Sequence, residues 1–116
     1  MMASCFGPAL ARIRLAPADE YFGRSKMSIL EMNNRLNDCT FRAQRHVSPG
    51  AIMGDAQRTE DAMADWSRKY PSDPWLPRYW WRLGRLYAMM PSQAAHAEAN
   101  VAFIQFHHYG HGWRAR

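Results

Sequence analysis

Cysteine is nearly absent from this chain of 116 residues: Cys5 and Cys39 stand far apart, with no Cys-x-x-Cys and no Cys/His ladder. That pattern excludes a disulfide-stapled scaffold and a zinc finger, and leaves two free thiols. Lysine is scarce as well, since 13 of the 15 basic residues are arginine, against 10 acidic residues and a formal charge of +5. Arginine in such excess favours planar, two-pronged contacts to carboxylate or phosphate, or reflects GC-rich coding. No apolar run nears the roughly 20 residues of a membrane-spanning helix, so the chain is expected to be soluble, and cytoplasmic by default.

The sequence also lacks the spellings of catalysis. It has no glycine-rich phosphate loop, no Ser/His/Asp set with family spacing and no haem-attachment motif. Asp61 and Asp65 stand one helical turn apart, but nothing near them supplies a nucleophile, and they read as a solvated or salt-bridged face. An enzyme is not expected, and no cofactor is implied. His96, His107, His108 and His111 form the one cluster with metal-ligand character, with Met89 and Met90 nearby as soft donors. It lacks an acidic helix partner, and a solvated aromatic tail is the preferred reading.

Large side chains, in contrast, are plentiful: five Trp, five Tyr, five Phe and eight Met. Four of the tryptophans, Trp66, Trp75, Trp80 and Trp81, fall around the sequence Tyr70-Pro71-Ser72-Asp73-Pro74. Pro71 cannot continue a helix, Asp73 is a good N-cap, and Pro74 suits a first helical turn. This spells helix, corner, helix, locked by Trp66, Tyr70, Trp75 and Trp80.

The rest of the chain reads as follows. Residues 1–17 are expected to be a flexible leader, with Arg12 and Arg14 where a signal peptide would have its cleavage site; a truncated export signal or organelle-targeting stretch is the alternative. Residues 18–109 form a single all-α domain of about four helices, and 110–116 a flexible tail. A first helix is expected over 18–37, with Tyr21, Phe22, Ile29, Met32 and Leu36 on one face. Residues 40–54 read as a long connection, with Pro49-Gly50 as a turn and Phe41, Arg42, Arg45 and His46 exposed. A second helix follows over 51–70, a third over 74–90 and a fourth over 93–107. The third is the most amphipathic: Leu76, Tyr79, Trp80, Leu83, Leu86, Tyr87 and Met90 face one way, Arg78, Arg82 and Arg85 the other.

Trp80-x-x-Leu83-Gly84-x-x-Tyr87 resembles the opening of the tetratricopeptide repeat. With a loop about three residues longer, Ala99 and Phe103 take second-helix places and Phe106 stands where that pattern has alanine. The resemblance covers residues 74–107, with 51–71 as the end of a degenerate preceding unit. It implies an antiparallel helical hairpin that binds peptide or protein on a helical surface, with no catalytic residues.

The functional expectation is therefore a non-catalytic protein–protein interaction module, or a small accessory subunit of a larger assembly. Arg78, Trp81, Arg82 and Arg85 would be its anchors, with Phe41, Arg42 and Arg45 as a secondary contact. The alternative is nucleic-acid binding by the same arginine stripe, and metal binding by the histidines comes third. The stripe could also be satisfied internally, by Asp55, Asp61 and Asp65 of the second helix. A homo-oligomer is compatible with all of these.

Overall fold

The computed structural model describes residues 14–110. Four helices follow in order: α1 (Ile29–Gln44), α2 (Pro49–Lys69), α3 (Leu76–Met89) and α4 (Gln93–Tyr109). Helices α1 and α2 form one antiparallel pair, α3 and α4 the other, and the described residues contain no strand. Helix α3 touches all three other helices, so its apolar face forms the centre of the core. No helix among the described residues is long and apolar enough to cross a membrane.

The first helix begins eleven residues later than its periodicity suggests. Residues 22–27 instead close a small turn, in which Phe22 and Met27 exchange backbone hydrogen bonds of 2.8 and 2.9 Å. Gly23 sits there at φ +74°, a left-handed conformation that glycine adopts without strain. A Cβ at that position would lie 2.8 Å from the Ala62 Cα. The turn is held by α2: the Gly23 N–H donates to Asp65 at 2.8 Å and the Arg24 N–H to Asp61 at 2.9 Å. Phe22 and Met27 are thus buried without a helix, while Tyr21 is left exposed. The helix start is Ser28, whose Oγ accepts from the Glu31 N–H at 3.2 Å. Ser28-x-x-Glu31 has the spelling of a capping box.

The expected connection over 40–54 is also corrected. Helix α1 continues to Gln44, past the three asparagines expected to fray it, because Cys39 and Ala43 extend its buried row. His46, at φ +63°, stops it. Pro49 then serves as the first residue of α2 rather than as a turn, a position where its missing N–H costs nothing.

The corner over 70–75 is built around one carboxylate. Asp73 is 3% exposed, and its side chain accepts from the Trp75 N–H, the Ala16 N–H and the Trp66 indole N–H, each at 3.0 Å. Asp73 is not the expected N-cap: the cap position of α3 is Trp75, no side chain caps the helix, which starts at Leu76, and Asp73 instead holds the Trp75 N–H in the turn ahead of it. Trp66 is fully buried, with its ring edge-on to Tyr79 at a centroid distance of 5.1 Å. Trp80 is buried too and donates to the Ser67 Oγ at 3.0 Å. Trp75 departs from the expected lock: it is 51% exposed, with the Arg78 guanidinium over its ring. Of the expected leader, the described residues 14–17 lie against this corner, Arg14 donating its N–H to Ser72.

Helices α3 and α4 form the hairpin expected of residues 74–107. A Cβ on Gly84 would lie 2.6 Å from the Phe103 ring, so glycine is what lets α4 come this close. Leu83 and Tyr87, on either side of it, are fully buried.

Candidate interaction site

The two sequence-predicted contact regions converge. Helices α1 and α3 run side by side in the same direction, and between them lies a groove of about 400 Å³. Asn37, Thr40, Phe41 and Gln44 line it from α1, and Trp81, Arg82, Arg85 and Met89 from α3. The α1 residues recur at three- and four-residue spacing, so they form one face of a continuous helix. Ending that helix at Asn37 on sequence grounds hid the face; the i, i+3, i+4, i+7 spacing was the signal that could have found it.

Phe41 and Trp81 are 52% and 39% exposed, a large apolar outlay on the surface of a small chain. Trp81 is supported from behind by Phe103 and Phe106, at centroid distances of 5.4 and 5.3 Å, which fix its plane. Arginines lie over the aromatics of this side of the molecule: Arg45 on Phe41 at 4.2 Å, Arg85 on Trp81 at 5.8 Å and Arg78 on Trp75 at 5.1 Å. Such stacking pre-orients a guanidinium while leaving its N–H edge available.

Arg82 plays a different part. It donates to the Asn33 Oδ1 at 2.8 Å and to the Asn37 Oδ1 at 2.9 Å, clasping α3 to α1. The stripe is therefore satisfied internally at one residue, by amides and not by the acidic residues of α2. Beyond the clasp the seam opens into a second, more apolar cleft of about 370 Å³, where Leu30 and Ile29 of α1 meet Trp75 and Tyr79. Arg42 is not part of the groove. It turns to Asp55 at 2.8 Å and Asp38 at 2.9 Å, joining α1 to α2.

The distribution of charge follows from these pairings. Asp55 gathers Arg35, Arg42 and Arg58, and the Arg42 bond, first among them, holds its carboxyl below the ordinary value. Asp65 is held low as well, chiefly by the Gly23 N–H, and pairs with Arg68 and Lys69. Helix α3 contributes no acidic residue. Among the described residues, no carboxylate lies within ion-pair distance of Arg45, Arg78, Arg82 or Arg85.

Two further groups of titratable residues lie outside the groove. Glu60 of α2 accepts from the Tyr87 hydroxyl at 2.7 Å. Its carboxyl is pushed up to about 7, first by burial and also by the Glu98 carboxyl of α4. Sequence periodicity gave no sign of this cluster, because its members come from three helices. The histidines do not assemble: His96, His107 and His108 lie exposed, and His111 lies outside the described residues. Among the described residues no three His, Cys, Asp or Glu side chains are placed to hold a metal ion.

Compared with protein-family models, curated proteins and solved structures, the chain gives no match. Over its described residues the chain is an all-α protein with aromatic clusters.

Proposed function

We propose that this protein is a non-catalytic protein–protein interaction module, an accessory subunit that receives an acidic segment of its partner in the groove between α1 and α3. The observation that carries the reading is a set of arginines without carboxylate partners among the described residues: Arg45 and Arg85 stacked on the groove aromatics Phe41 and Trp81, and Arg78 on Trp75 of the adjoining cleft. Carboxylates of a partner would replace water at guanidinium edges already held in place. Phe41 and Trp81 would supply the apolar anchors such interfaces concentrate their energy in. The tetratricopeptide-like spelling of α3 supports the same reading.

The test is affinity capture of the tagged chain from its native extract, with and without nuclease, followed by titration of the captured partner. An Arg78→Glu, Arg85→Glu double variant is expected to weaken the complex about tenfold or more while leaving the fold intact, since both side chains are exposed. Arg82 is unsuited to this test because its loss opens the α1–α3 clasp. Capture that disappears with nuclease, with affinity falling steeply with salt, would replace this reading with nucleic-acid binding.

A further inference from the structure

The seam between α1 and α3 does not end at the groove. Beyond the Arg82 clasp, the adjoining cleft is lined by Leu30, which is 68% exposed, by Trp75, and by Leu15 and Ala18 of the segment ahead of the first turn. That segment is tied down, because Ala16 donates its N–H to Asp73 at 3.0 Å and Arg14 donates its own to Ser72. Five of the nine large apolar side chains exposed among the described residues, Leu15, Leu30, Phe41, Trp75 and Trp81, line this one seam. On the reading of the groove as the partner's site, we propose that the acidic segment lies extended along the whole seam, its carboxylates at Arg45 and Arg85 and a large apolar side chain, about five residues away, in the cleft between Leu30 and Trp75.

Charge sets which end goes where. Arg45 and Arg85 stand over Phe41 and Trp81 in the groove. The carboxylates nearest the seam are engaged elsewhere: Asp73 with its three N–H donors, Glu31 with Arg35 and Asp38 with Arg42. Asp19, exposed next to Ala18, is the exception, and it disfavours an acidic group at the cleft end. Between the two ends α1 presents Asn33, Asn34 and Asn37. Arg82 donates to the Oδ1 of Asn33 and of Asn37, so their NH2 groups, like the exposed Asn34 amide, stay without a partner among the described residues. A partner helix satisfies its own backbone and has no carbonyl for these donors, whereas an extended segment presents one at every residue. Leu30 and Phe41 stand about three helical turns apart, roughly 16 Å along α1. An extended chain covers that span in about five residues.

Fluorescein-labelled synthetic peptides, titrated with the full chain and read by anisotropy, test the proposal. The probe carries three glutamates, a spacer of four serines and a phenylalanine. Controls replace the phenylalanine by serine, shorten the spacer to one serine, or replace it by nine alanines to favour a helix, and each peptide is made in both chain directions. In one direction the probe is expected to bind about tenfold or more tightly than its serine control, and the one-serine spacer to lose that gain. Leu30→Ser, at an exposed position and with an unchanged circular dichroism spectrum, is expected to remove the gain, and Ile104→Ser, outside the seam, to keep it. Arg85→Glu is expected to weaken the probe and its serine control alike. Equal binding of these two peptides, a gain that survives Leu30→Ser or the one-serine spacer, a gain lost in Ile104→Ser, or one that needs the alanine spacer would each overturn the proposal and leave the groove reading in place. No binding of any peptide at about 1 mM, or binding indifferent to Arg85→Glu, would overturn the groove reading and the proposal with it.

Discussion

Trp66→Ala is expected to lower the unfolding free energy by about 3–5 kcal/mol, the range for emptying a large aromatic site in a packed core. Trp66 is the side chain on which three segments meet: Phe22 of the first turn, Tyr79 of α3 and Asp73 of the corner. Its removal leaves a cavity between layers that α3 prevents from collapsing, and it also strips the carboxylate of one donor. For a domain of this size, whose total stability is about 5–15 kcal/mol, the melting midpoint should fall by about 15 °C or more. Asp73→Ala attacks the same node from the other side. It leaves a buried indole N–H and two backbone N–H groups without their acceptor, for an expected loss of about 2–4 kcal/mol. Asp73→Asn keeps one acceptor oxygen and should recover part of that loss. Urea unfolding of the three variants checks the set. A loss below about 1 kcal/mol for Asp73→Ala would mean that water takes over the carboxylate's role.

Stability should also fall as the pH rises through neutrality, and Glu60→Gln should remove most of that fall. The sign follows from the environment of Glu60. Burial first, then the facing Glu98 carboxyl, raise Glu60 from the ordinary 4.5 to about 7, so the folded state holds a proton that the unfolded chain gives up. Its contribution is fully present below about pH 4.5 and is lost as the pH passes about 7. The Tyr87 hydroxyl donates to Glu60 and favours the charged form, but it does not offset burial. Arg68, exposed at the rim of a cleft that Glu60 lines together with Val101 and Gln105 of α4, is open to solvent screening. Allowing for the part of Glu60 that water still reaches, the variant should exceed the native chain by about 2 kcal/mol at pH 8 and match it near pH 5. Asp55 and Asp65 act in the opposite sense. Both are held low by donors, so their contribution disappears on acidification below about pH 4. Melting curves of the two chains across this range separate the effects. A difference that does not vary with pH would show that Glu60 stays ionised in the fold.

Much of the architecture was legible where one helix writes its own pattern. The inward row of α3 and its ending at Pro91 could be read from spacing and proline alone, and Gly84 already pointed to a close helix approach. What failed was local geometry fixed by distant partners. The turn over 22–27 looks helical because Tyr21, Phe22 and Ile29 share a helical face, yet α2 captures its backbone N–H groups with Asp61 and Asp65. Those two aspartates were readable as a charged face, which they are, but not as loop anchors. The groove was legible in halves: Trp81, Arg82 and Arg85 from α3, Phe41 from a presumed connection. Their meeting depends on α1 continuing to Gln44, which tertiary burial of Cys39 and Ala43 decides against the weak helix propensity of the asparagines.

Cys39 gives the molecule a built-in clock. Its thiol is 1% exposed and burial pushes its pKa up, so a thiolate in contact with water forms only when α1 lifts from the body of the protein. In a Cys5→Ser background, the rate at which an alkylating reagent consumes this sulfur therefore counts openings of the first helical pair. When reclosing is faster than alkylation, that rate measures how often the domain is open; when reagent wins, it measures how fast the domain opens.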